Sequence, residues 1–138
     1  MSVQPWPGAR AWVDAITAAW RRGDAAAVLA QAARDPAVTM GGPGAAVPVA
    51  VGRDAVATMI ERVVRPLPEG AGAFVTDALG FTHGDAAWLN ADAELRLPGR
   101  APIPWHIWLV LVQEEGAWRF VHFGALAGGP MPAPPPAP

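Results

Sequence analysis

Three histidines, no cysteine and a single serine at position 2 leave this chain few groups with which to do chemistry. Those that remain gather on two stretches that read as strands. Ala86–Leu97 places Trp88, Asn90, Asp92, Glu94 and Arg96 on one face, because side chains alternate across a strand. Ile103–Gln113 places His106, Trp108, Val110 and Val112 on one face in the same way. A hairpin pairing Leu97 with Ile103 sets Glu94 opposite His106 and Asp92 opposite Trp108, so the two polar faces coincide. An acid beside a histidine within apolar walls suits general acid–base transfer, since burial and charge pairing can bring both groups to working pH. His122, on the last strand, is the third candidate. Asp92, His106 and His122 are therefore expected to carry any catalysis, with Asn90 orienting the ligand. Trp88 and Trp108 would offer flat apolar contact to a cyclic molecule, and Trp20 and Met59 would roof the cavity. The same residues also admit a structural reading, with Asp92 facing water and His106 hydrogen-bonded in a core or a dimer interface.

Other chemistries have less support. Without cysteine there is no disulfide, thiolate nucleophile or Cys-ligated metal. The three histidines lack a His-x-x-x-His spacing, so no metal is expected. Gly41-Gly-Pro-Gly44 is not followed by Gly-Lys-Ser/Thr and reads as a connection, not a phosphate loop. No cofactor is expected. Ten arginines and no lysine give a net charge of -2 with no basic run, which argues against nucleic acid as a partner. The longest apolar stretch, near Ile103–Val112, is too short to span a bilayer, and Met1–Pro7 does not resemble a signal peptide. A cytoplasmic protein with no membrane partner is the expectation.

The positioning elements follow from local signals. Trp12, Ile16 and Trp20, with Val13, form an apolar stripe that predicts a helix over Ala9–Arg22, ended by Gly23. Asp24 caps a second helix expected to reach Ala33, before Asp35-Pro36. Short extended pieces are expected at Ala37–Met40 and Val47–Val51. Val56, Met59, Ile60 and Val63 mark a third helix from Asp54. Four strands follow, at about Phe74–Leu79, Ala86–Leu97, Ile103–Gln113 and Ala117–Phe123, joined by turn residues. A three-residue last turn, Glu114-Glu-Gly116, puts Trp118, Phe120 and His122 on the face of His106, and a two-residue turn puts them on the other, since a one-residue slip reverses every side chain. The three-residue turn is preferred. Residues 1–127 thus read as one α+β domain, and Gly128–Pro138 as a proline-rich tail.

Three short motifs carry a family resemblance. Gly52-Arg-Asp-Ala-Val56, Gly84-Asp-Ala-Ala-Trp88 and Gly116-Ala-Trp-Arg-Phe-Val-His122 resemble SnoaL-like proteins of the nuclear transport factor 2-like superfamily, distantly similar to ketosteroid isomerase. The resemblance implies a cone-shaped curved antiparallel sheet with helices on its concave face. It also implies a homodimer and a range of uses, from isomerases, cyclases, dehydratases and epoxide hydrolases to non-catalytic interaction modules. The chain departs from the pattern in three ways. It has no tyrosine to act as oxyanion donor, no acid in Val38–Gly42 to act as base, and Gly124 where a second histidine often stands.

The expected ligand is therefore a small hydrophobic cyclic molecule. It is either turned over without cofactor as an isomerase, cyclase, dehydratase or hydrolase would, or bound by a non-catalytic ligand-binding or dimeric module. The face carrying Leu89, Ala91, Leu95, Trp105, Ile107, Leu109 and Leu111 is expected to be the one left by the helices and buried in a homodimer.

Overall fold

A computed structural model describes residues 2–42 and 45–127. The tip of the Gly41–Gly44 connection and the proline-rich tail lie outside the described residues. The chain runs β1 (Gln4–Pro5), α1 (Ala9–Arg22), α2 (Ala25–Ala30), β2 (Ala32–Gly42), β3 (Ala45–Val51), α3 (Arg53–Val63), β4 (Gly72–His83), β5 (Ala86–Arg96), β6 (Ile103–Glu114) and β7 (Ala117–Ala127). The strands form one unclosed sheet in the order β1-β4-β5-β6-β7-β2-β3, antiparallel except where β2 runs parallel to β7. Three helices packed on one face of a curved sheet give the expected α+β architecture.

The helix signals are realised locally. Gly23 takes φ 74° and its N–H bonds back to Ala19 and Trp20 carbonyls. The Asp24 carboxylate accepts from Ala27 N–H at 3.0 Å. α2 stops at Ala30 because β7 captures the chain there. Phe120 N–H donates to Gln31 O at 2.8 Å, and Ala32 already pairs with Phe120. The same pairing extends β7 beyond Phe123 to Ala127.

The face covered by helices is the reverse of the expected one. Val13 and Ile16 of α1, Val28 of α2, and Val56 and Ile60 of α3 pack on Leu89, Ile107, Leu109, Leu111 and Phe120, all at most 1% exposed. Burial of each large aliphatic or aromatic side chain contributes about 1.5–3 kcal/mol, whereas Asn90 and Asp92 would need new partners under a helix. The apolar face therefore takes the helices. Among the described residues the face of Asp92 and His106 carries none.

Two registers also differ from expectation. β5 and β6 pair Leu95 with Ile103, so Asp92 lies opposite His106 and Asn90 opposite Trp108. The slip is even, so both strands keep their faces. In the last hairpin Glu114 pairs with Ala117 across a two-residue turn, Glu115-Gly116, with φ of 53° and 78°. Both central residues at positive φ match the right-handed twist of a tight hairpin. That turn puts Trp118 and Phe120 on the helix side. A bulge then intervenes, since Leu111 pairs with Phe120 but Val110 with His122. The extra residue, Val121, restores parity. His122 thus shares the polar face with His106 for a reason different from the one expected.

Candidate functional site

The sheet separates two candidate sites. On its helix-free face β5 supplies Asn90 and Asp92, β6 His106 and Trp108, β7 His122, and β2 Thr39. His106 is 8% exposed. A proton on Nδ1 is donated to the Asp92 carboxylate at 3.2 Å, and Nε2 lies 3.3 Å from the amide oxygen Oδ1 of Asn90, which can only accept. The Asp92 side chain is 61% exposed, so the pair contributes at most about 1 kcal/mol to stability. The Trp108 ring centre lies 6.3 Å from that of His106 and 6.1 Å from that of His122. The indole lies over β7, where a Cβ on Gly124 would fall inside it. Gly124 is thus the residue that makes room for Trp108, and a histidine there could not coexist with the indole in this position. Trp88 packs on Phe81 at 5.8 Å, farther along the same face. A groove of about 220 Å³ opens beside His106, bounded by Asp77, Leu79, Asn90 and Asp92.

His122 Nε2 lies 2.8 Å from the Thr39 hydroxyl, and burial lowers the His122 pKa below its ordinary 6.5. The folded state holds this imidazole neutral where the unfolded chain would protonate it. Its stabilising effect is present above pH 6.5 and is lost as pH falls through the lowered folded value. Urea midpoints measured at pH 7.5 and pH 5 are expected to drop less in His122→Gln, which keeps a partner for Thr39, than in the parent. An equal drop in both would show that His122 contributes nothing to the pH dependence.

The second site is a cavity of about 120 Å³ between the helices and the sheet. Thr17 and Trp20 of α1, Met40 of β2, Leu67, Trp105 of β6 and Phe123 of β7 are among its walls, and among the described residues no titratable side chain lines it. Trp20 stacks on Phe123 with ring centres 6.1 Å apart. Gly72, at φ 112°, lets Leu67 and Arg21 close over the backbone, since a Cβ there would meet Arg21 Cγ at 2.7 Å and Leu67 Cδ1 at 3.1 Å. The Arg21 guanidinium is engaged elsewhere, donating to Ala73 O at 2.6 Å and lying 4.2 Å from the centre of the Phe74 ring. Burial lowers its pKa.

The structure therefore brings together Asn90, Asp92, His106, Trp108 and His122, with Trp88 nearby. It does not bring Trp20 or Met59 to them. Those two residues were expected as a roof over the acid–histidine pair, but they follow the helices to the opposite side of the sheet. Met59 belongs to the core under α3, and Trp20 lines the cavity. Sequence reasoning missed Thr17, Met40, Leu67, Trp105 and Phe123 as cavity walls and Thr39 as the partner of His122. Thr17 was legible in part, since it stands three residues before Trp20 on one helix and so shares its side. Among the described residues no cluster of three or more His, Cys, Asp or Glu could hold a metal ion. No helix among them is long and apolar enough to cross a membrane.

A family model for the SnoaL-like domain matches residues 9–125. The chain belongs to the SnoaL-like domain family. A search of curated proteins gave no match to this SnoaL-like chain. Among solved structures it is similar to a nuclear transport factor 2-like protein of unknown function from Pseudomonas putida, with 14% identity, TM-score 0.70, and 88% of this chain and 85% of that one covered. It is also similar to a ketosteroid isomerase-like protein from Erwinia carotovora atroseptica, with 22% identity, TM-score 0.61, and 88% and 95% covered. A third likeness is to a protein of unknown function with a cystatin-like fold from Nostoc punctiforme, with 13% identity, TM-score 0.66, and 89% and 90% covered. At these identities the likenesses show a shared fold.

Proposed function

We propose that this SnoaL-like chain binds a small hydrophobic cyclic molecule in the helix-side cavity, without acid–base chemistry on it, and works as a homodimer joined through the helix-free sheet face. One observation carries the reading: among the described residues the apolar cavity has no titratable side chain in its walls, and Asp92, His106 and His122 stand across the sheet from it. A general base must come within about 2.6–3.2 Å of the atom whose proton it takes, and a sheet lies between these groups and a ligand in the cavity. The dimer half of the proposal rests on the free face. Leu79 and Val110 there are 61% and 42% exposed, and Trp88 and Trp108 lie half-buried beside them, with no helix of the described residues over them. A second copy of the same surface is the occupant that needs no other molecule. Thermal unfolding with saturating toluene tests the binding half. A dose-dependent rise in midpoint is expected, about 2.7 kcal/mol at a hundred times Kd. No rise would reject it.

A second reading is favoured by the 3.2 Å contact between His106 and Asp92 beside an open groove. In that reading the groove is the site of a cofactor-free isomerase, cyclase, dehydratase or hydrolase. Hydrolysis of 4-nitrophenyl acetate gives a first discrimination for the hydrolase form. Acid–base action there predicts that Asp92→Asn slows the parent rate by about a hundredfold. Equal rates in parent and variant favour the binding reading.

A further inference from the structure

We infer that the cavity selects an uncharged, single-ring molecule carrying one hydrogen-bond donor, which it presents to the Thr17 hydroxyl oxygen. This rests on the binding reading above. Size comes first. The cavity measures about 120 Å³, close to the roughly 150 Å³ apolar cavities that accept benzene. A fused polycycle needs far more room. Charge comes second. Among the described residues no ionisable side chain lines the walls, and an ion brought there would lose its hydration without a partner. Arg21, whose stem packs on Gly72 of the wall, already serves Ala73 O and the Phe74 ring.

The polar contact follows from how Thr17 is used. Its hydroxyl proton is committed to the helix, with Val13 O at 2.9 Å and Asp14 O at 3.1 Å as acceptors. Thr17 is only 5% exposed and lines the cavity. A hydroxyl that has donated still has an oxygen able to accept. The capacity left to Thr17 is therefore that of an acceptor, and a ligand O–H or N–H is the group that can use it. Trp20 and Phe123, stacked 6.1 Å apart, and Trp105 supply flat walls for the ring.

The test uses toluene, phenol and anisole as probes on the full chain and on Thr17→Val, which keeps the side-chain shape and removes the oxygen. Affinities are read by calorimetry, and urea midpoints show whether the variant is folded. The expected result is that Thr17→Val weakens phenol about fivefold to tenfold, the worth of one neutral hydrogen bond. Toluene and anisole, which cannot donate, change less than about twofold on the same reasoning. If toluene binds but phenol is unaffected by the substitution, the Thr17 contact is wrong and the binding reading stands. If all three weaken together, Thr17 acts through shape alone and the donor preference is wrong. If none of the probes binds the parent chain, the binding reading fails with it.

Discussion

Ala125→Leu is expected to reduce toluene affinity by at least about a hundredfold while the protein stays folded. Ala125 is 1% exposed on β7, pairs with Ile107 and Met40, and forms part of the cavity wall. A leucine there projects three further carbons into a space of about 120 Å³. The ligand and the new side chain cannot share that volume, so the loss is close to the whole apolar contribution to binding, about 25 cal/mol for each Å² of buried surface. Overpacking a full core costs about 1–3 kcal/mol. Here the added atoms enter empty space, so the urea midpoint is expected to hold or rise. Calorimetry against toluene with a matched urea curve checks both parts. Unchanged affinity in a folded variant would move the ligand out of this cavity.

Val110→Glu is expected to turn a dimer into a monomer at micromolar concentration. Val110 lies on β6 between Trp88 and His122, at the middle of the helix-free face, and is 42% exposed in the single chain. A glutamate at an exposed strand position changes folding by about 0.5 kcal/mol or less. Buried in a two-fold interface, a pair of such charges without partners costs several kcal/mol, a shift of about a hundredfold or more in the dimer dissociation constant. Light scattering of parent and variant at one concentration checks it. A monomeric parent, or a variant that remains dimeric, would remove the sheet face as the interface.

Much of the fold was legible because its signals are local. The Trp12–Ile16–Trp20 stripe, Gly23 and Asp24 mark α1 and the start of α2 without reference to the rest of the chain. The alternation in β5 and β6 correctly sorted Asn90, Asp92, His106 and Trp108 onto one face. Which face the helices would take was misjudged, because tryptophans occur on both sides and polar groups invite a pocket. The decisive term was desolvation: Leu89, Ile107 and Leu109 bury without needing partners, whereas Asn90 and Asp92 do not. The position of His122 depended on a bulge at Val121, and nothing about that residue signals an extra position in the ladder. The cavity was hidden for another reason. Thr17, Met40, Leu67, Trp105 and Phe123 come from five separate parts of the chain, and only tertiary packing brings them to one space.

Which side of the sheet holds the ligand decides between binding and acid–base chemistry, and the tryptophan side-chain N–H signals of a ¹⁵N-labelled sample can report it directly. Trp20 and Trp105 line the cavity, while Trp88 and Trp108 stand on the opposite face. With each signal assigned by its Trp→Phe variant, titration with toluene is predicted to shift Trp20 and Trp105 and leave Trp88 and Trp108 in place. Shifts confined to Trp88 and Trp108 would put the ligand beside Asp92 and His106 and contradict the account.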